Sequence, residues 1–295
     1  MLEIIKSILF GIIEGITEWL PISSTGHMIL LDEFMKLDSD GKLSEGFTDM
    51  YLVVIQLGAI LAVVLLFWSQ LWPFKSPSKR YDANRGILKA KNDKGIFKIV
   101  KADIFVMWFK IVAACIPAVI VVMGFGVKLE EWFYNYKTVS IMLIVVGILF
   151  IIIENRNKQH RASITSIADI TYTTAFMIGV FQLVAAVFPG TSRSGATIIG
   201  GLILGLSRTV AAEFTFFLAV PVMFGASFIK ILKFGLSFTS LEAVVLAVGM
   251  IVSFVVSLIV IKFLMGYIKK HDFKIFGWYR IVLGILVLDY FAIAG

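Results

Sequence analysis

Two short stretches concentrate the ionisable and hydroxyl groups of an otherwise apolar chain: EGITEWLPISSTGH at residues 14–27 and FPGTSRSGAT at residues 188–197. In the first, Glu14 and Glu18 are four residues apart, so they share one face of a helical arm. An ionised side chain costs roughly 2.5–3.5 kcal/mol at the centre of a bilayer, so a buried acid pair shares a proton, faces a cation or holds a metal. Hard divalent cations, Mg or Ca, suit such carboxylates. Pro21 is expected to end the arm. Ser23, Ser24, Thr25 and Gly26 then offer hydroxyls and flexible backbone where the next helix begins, a position that favours anions. His27 closes the stretch and is the one histidine expected at membrane depth, because His160 and His271 fall in basic loops.

In the second stretch Arg193 stands between Ser192 and Ser194, with Gly190, Gly195 and Thr197 close by. The planar fork of an arginine matches phosphate oxygens, and Gly/Ser backbone can add N–H donors. Gln182 is a further polar candidate whose role stays open. One stretch therefore supplies hydroxyls, a histidine and paired acids, the other an arginine and N–H groups. Such a combination suits a phosphorylated headgroup on a lipid tail. Glu14 and Glu18 are the metal candidates. Ser23, Thr25, Ser192, Ser194 and Thr197 join Arg193 as candidates for holding substrate.

The elements that must position these groups are membrane elements. Only 16% of the 295 residues are charged, against roughly 25% in soluble domains. Six runs are long and apolar enough to span, at about 50–69, 104–127, 138–155, 212–233, 243–266 and 275–294. The segments between them alternate in charge. Residues 70–103 carry nine Lys/Arg against three Asp, whereas 38–49, 128–137 and 234–242 together carry three Lys against seven acids. Basic loops stay in the cytoplasm, which places both termini outside. The net charge of +7 thus reads as topology and attraction to anionic lipid, with no nucleic-acid partner. Tyr279 and Trp278 read as part of an interfacial aromatic belt. Cys115 is the single cysteine, so no internal disulfide forms.

Regions 3–37 and 170–207 are each an apolar arm, a proline with small polar residues, and a second, shorter arm. Neither second arm spans comfortably, so both read as re-entrant helix–loop–helix hairpins, with non-helical backbone shielded by protein. Laid together at an offset of 168, Glu14 falls on Gln182, Pro21 on Pro189, Ser24 on Ser192 and Glu45 on Glu213. The expected fold is an all-α polytopic membrane protein of two inverted-topology repeats, each a re-entrant hairpin plus three transmembrane helices. Residues 1–295 form a single integral membrane domain. The first repeat is 1–155, with a basic cytoplasmic insertion at 70–103, and the second is 170–295. Oligomeric state is left open, a homo-oligomer included.

With both motifs in one integral membrane chain, the sequence resembles the bacitracin-resistance family of undecaprenyl pyrophosphate phosphatases, over essentially its whole length. The resemblance implies hydrolysis of undecaprenyl pyrophosphate to the monophosphate carrier lipid and phosphate, with a divalent metal. It also implies that Glu14, Glu18, His27 and Arg193 are needed for activity, with Ser24 a nucleophile or hydrogen-bonding partner. The phosphatidic-acid-phosphatase pattern fails, because its histidine would fall on Ile199. His27 is therefore read as an acid/base able to take the Ser24 proton, with water as the alternative nucleophile. Transport of the carrier lipid is the competing reading, since inverted repeats are a transporter architecture.

Overall fold

In the computed structural model, residues 1–38, 41–74, 101–133, 135–158 and 161–294 are described. Most of the expected insertion, and His160, lie outside them. The described chain is helical: α1 (Leu2–Thr17), α2 (Ser24–Phe34), α3 (Phe47–Leu66), α4 (Trp68–Leu71), α5 (Ala102–Phe133) and α6 (Tyr136–Asn157) come first. They are followed by α7 (Tyr172–Val187), α8 (Arg193–Ile203), α9 (Arg208–Phe234), α10 (Ser240–Ile268) and α11 (Lys274–Ala294). Six of these, α3, α5, α6, α9, α10 and α11, are long and apolar enough to cross a membrane, and they coincide with the six expected runs. The starts of α6, α7, α9 and α10 follow from short polar caps. Asn135, Thr171, Ser207 and Thr239 each accept a backbone N–H of the first turn, and Thr239 with Glu242 completes a capping box.

The helices of the two polar stretches differ from expectation in their ends. Pro21 does not end α1. The helix stops at Thr17, with Glu18 as its C-cap, and a turn spans the residues before Pro21. The residue preceding a proline disfavours helical backbone, so the chain leaves the helix ahead of the ring. α2 runs through Asp32-Glu33 to Phe34, longer than its apolar content suggests. The equivalence of Ser24 with Ser192 shifts by one. The N-caps are Ser23 and Ser192, both at positive φ (77° and 70°), the only non-glycine residues so placed among those described. Glu45 and Glu213 are not structural equivalents, for Glu45 precedes the N-cap Gly46 while Glu213 lies inside α9.

Packing is by crossed pairs: α1 lies along α10, α7 along α5, α6 along α11, and α3 between α9 and α10. Small residues make these seams close. A Cβ on Gly179 of α7 would meet the Ala114 backbone of α5, and one on Gly58 would meet the Met250 backbone of α10. Gly147 and Gly277 each face the other's carbonyl across the α6–α11 seam. Without a strong hydrophobic drive between helices in lipid, such close approach is the main source of association. Gly179→Val is therefore expected to destabilise by roughly 1–3 kcal/mol. Gly124→Ala, where a Cβ meets nothing within 4 Å, serves as the neutral control. Thermal unfolding in detergent reads both; equal midpoints would contradict the close seam.

Candidate active site

The site forms where the C-terminal end of α1, the N-terminal end of α2 and the α7–α8 connection meet. Glu18 is its hub. Ser24 Oγ donates to Glu18 Oε2 at 2.6 Å, and Arg193 Nη2 donates to Glu18 Oε1 at 2.5 Å. Ser194 Oγ donates to the Glu18 carbonyl at 3.2 Å. The carboxylate thus joins a hydroxyl from the first motif to the guanidinium of the second, 175 residues away. Arg193 is the first residue of α8 and Ser24 the first of α2, so each tip presents one reactive side chain at a helix start. The two caps beneath them match: Ser23 Oγ accepts from Gly26 N and Ser192 Oγ from Gly195 N.

Glu14 is fully buried, and neither of its carboxylate oxygens has a hydrogen-bond partner. Gln182 Oε1, on α7, is likewise buried and unpartnered. A buried carboxylate left unmade is costly, so Glu14 is the one donor here with two oxygens free for a ligand. No group of three or more His, Cys, Asp or Glu that could hold a metal occurs among the described residues. Glu14 and Glu18 would supply two carboxylates, with the rest of a cation's shell coming from elsewhere.

His27 makes its hydrogen bonds away from Ser24. Its Nδ1 lies 2.7 Å from the Ser23 carbonyl and its Nε2 2.7 Å from the Tyr279 hydroxyl. A carbonyl only accepts, so Nδ1 carries a proton, and Nε2 is hydrogen-bonded to the Tyr279 hydroxyl. The two rings stack at 5.7 Å, 3° from parallel. The Ser24 proton is directed to Glu18, not to His27. Thr25 is half-buried on the first turn of α2. Thr197 turns away from the tips, its hydroxyl donating to the Arg193 carbonyl and bonded to Thr215 on α9. Ser192 Oγ is bonded to Ser194 Oγ as well as capping α8.

Two residues that do much of the positioning escaped the sequence. Tyr279 passed for an interfacial aromatic. Arg280, inside α11, is fully buried and donates to the carbonyls of Pro21, Gly190, Thr191 and Leu143. It thereby ties the first tip to the second and both to α6. The signal was present, since an ionisable residue within a span is costly unless it has partners. What hid it is that those partners are backbone carbonyls, which no residue type announces. Arg280→Lys keeps the charge but cannot reach four carbonyls. It is expected to lower the thermal midpoint and reduce turnover by at least about tenfold, the equivalent of one charged hydrogen bond. Wild-type values for both would show that the tips hold themselves.

The chain is similar to known proteins over nearly its whole length. The family model for the bacitracin resistance protein BacA matches residues 7–286. An undecaprenyl-diphosphatase of Desulfitobacterium hafniense is 60% identical over 292 residues, 99% of this chain and 97% of that protein. Undecaprenyl-diphosphatase 1 of Clostridium acetobutylicum is 59% identical, covering 99% of this chain and 98% of its own. An undecaprenyl-diphosphatase of Enterococcus faecalis is 56% identical over 97% of this chain and 96% of its own. With six apolar spans and a family match over nearly its full length, the chain is a multi-pass membrane protein and belongs to the BacA family of bacitracin resistance proteins.

Proposed function

We propose that the chain hydrolyses undecaprenyl pyrophosphate to undecaprenyl phosphate and inorganic phosphate, recycling the carrier lipid of cell-wall synthesis and conferring bacitracin resistance. The observation that carries this reading is the Ser24–Glu18–Arg193 constellation, a hydroxyl beside a base beside a phosphate-matching fork. A transporter needs a phosphate site but no nucleophile hydrogen-bonded to a carboxylate, which favours hydrolysis over carriage.

The mechanism starts with Glu18. Its Oε2 takes the Ser24 proton while Oγ attacks the terminal phosphorus. The bond to the bridging oxygen breaks, releasing undecaprenyl phosphate, and water then cleaves the phosphoserine. Only one donor of the Arg193 fork is spent on Glu18, so the remaining N–H groups can hold phosphate oxygens. Ser23 and Ser192 act by shaping the two helix starts. His27 manages a proton at Nε2, where Tyr279 holds it. Glu14, with Glu18, fits a divalent cation, Mg or Ca, completed by substrate oxygens, since such ions are commonly held by one or two carboxylates plus phosphate. When bound, the ion would neutralise charge on the pyrophosphate.

The reading includes an inverted repeat with two re-entrant hairpins, in the bacterial plasma membrane, both termini extracytoplasmic. Several features support it. Lys6 donates to the Lys36 carbonyl, so the first helix pair enters and leaves together. Ser163 and Ile164 donate to the Gly205 carbonyl, closing the second pair in the same way. α10 runs from Glu242, which accepts from Ser44 near the first mouth, to its last turn near the second. Its 29 residues make about 43 Å. α1 and α7 are equal in length, as are α2 and α8.

Two experiments test the reading. Purified protein in detergent, where transport has no meaning, should release phosphate from the lipid pyrophosphate. Ser24→Ala should lower that rate at least about 100-fold. Acid quench of the wild type should trap labelled phosphate on the protein. An unlabelled wild type beside an active Ser24→Ala would hand the nucleophile's role to water. Separately, in a Cys115→Ala background, Glu45→Cys should react with an impermeant reagent on intact cells and His271→Cys only after permeabilisation. Equal reaction of both from outside would refute the inverted topology.

A further inference from the structure

The end of the molecule opposite the first helix pair holds a cavity that the hydrolytic site does not use. It measures about 350 Å³. Arg161, Arg208 and Lys269 line it, and no acidic side chain does so among the described residues. The wall is otherwise mixed: Ser207 and Thr209 are polar, while Leu202, Leu206 and Ile268 are apolar. Three of the six spans end at this level, α6 at Asn157, α9 at Arg208 and α10 at Ile268, and Asn157, Arg208 and Ile268 all reach the cavity. The cavity therefore sits where lipid headgroups sit.

Its frame is built. The backbone N–H groups of Ser163 and Ile164 donate to the Gly205 carbonyl, and Ser207 N donates back to the Ile164 carbonyl. Arg208 is fixed on the fully buried Glu154 through Nε and Nη2, at 2.6–3.1 Å. Glu154 also accepts from Phe273 N, so the acid is anchored in turn. This pairing uses one edge of the guanidinium, through Nε and Nη2, and leaves the Nη1 edge for a ligand. Arg161 and Lys269 are exposed. A cluster of three cations with one held rigid, at headgroup depth, is an anion site; its apolar wall and volume exceed what a bare phosphate needs.

We infer that this cavity binds the phosphate headgroup of an anionic phospholipid at the membrane face opposite the first helix pair. Leu202 belongs to α8, nine residues from Arg193, about 14 Å along the helix. A headgroup seated there touches the far end of the helix that carries the guanidinium of the active site. Phosphodiester oxygens pair with Arg161, Lys269 and the free edge of Arg208, while the first acyl carbons rest on Leu206 and Ile268.

Native mass spectrometry of the full chain, released from micelles doped with phosphatidylglycerol or with phosphatidylcholine, tests the site. Wild type should retain phosphatidylglycerol in preference to phosphatidylcholine. Arg161→Ala combined with Lys269→Ala should weaken retention at least about tenfold, the loss of one charged contact or more. Arg208 is left intact because its loss would strand Glu154. Lys262→Ala with Lys270→Ala removes the same charge from α10 and its end outside the cavity, and should keep the lipid. Equal loss in both pairs would reduce the effect to diffuse charge and overturn the site. Displacement of phosphatidylglycerol by millimolar inorganic phosphate would show that a free anion is the ligand and overturn the headgroup assignment. No preference between the two lipids in wild type would overturn it as well.

Discussion

Four helix ends meet in the interior of this bundle, and their backbone groups have no water to turn to. The end of α1, the start of α2, the end of α7 and the start of α8 all lie beside buried residues, Glu18, Ser23, Thr191 and Ser194 among them. A helix end exposes four unpaired N–H or C=O groups, and in an apolar interior each costs several kcal/mol if left unmade. The rest of the structure is arranged around meeting that demand. Arg280 supplies donors to three carbonyls of the two tips and one of α6. Ser23 and Ser192 supply acceptors to the two helix starts, in a strained backbone conformation that costs of order 1–3 kcal/mol each. The strain is tolerated because the same conformation aims Ser24 and Arg193 at one another's neighbourhood.

That arrangement makes positioning and reactivity a single problem. Glu18 is both the C-cap residue of α1 and the acceptor for Ser24 and Arg193. Moving the end of α1 would therefore move Glu18 and break the constellation. Arg280 has no carboxylate among its partners, and among the described residues the salt-bridged cation at the tips is Arg193. The two arginines differ in their partners: carbonyls satisfy Arg280, and a carboxylate holds Arg193.

The two halves are alike in backbone and unlike in chemistry. Both tips have a serine N-cap at positive φ and a glycine three residues on. Above them one half carries acids and an imidazole, the other an amide and a guanidinium. Glu14 and Gln182 are each buried with unpartnered oxygen, yet only the acid can balance a cation. The two tips thus meet as one asymmetric cluster, acidic on one side and cationic on the other.

The sequence by itself determined the six spans, because each is a long apolar run that cannot be stable in water and must be helical in lipid. It also determined the two polar stretches, because Glu14, Glu18, His27 and Arg193 are too costly in an apolar chain to be there without partners. Tertiary structure alone decided who partners whom. Spacing put Ser24 and His27 on one helical face, but the ring's Nδ1 found the Ser23 carbonyl and its Nε2 found Tyr279, 252 residues on. Spacing could not bring Arg193 to Glu18, nor send Arg280 to four carbonyls, since those distances exist only once α11 is packed on α6 and the two helix pairs abut. Local patterns register the cost of a buried charge; which distant group repays it is a property of the packed bundle.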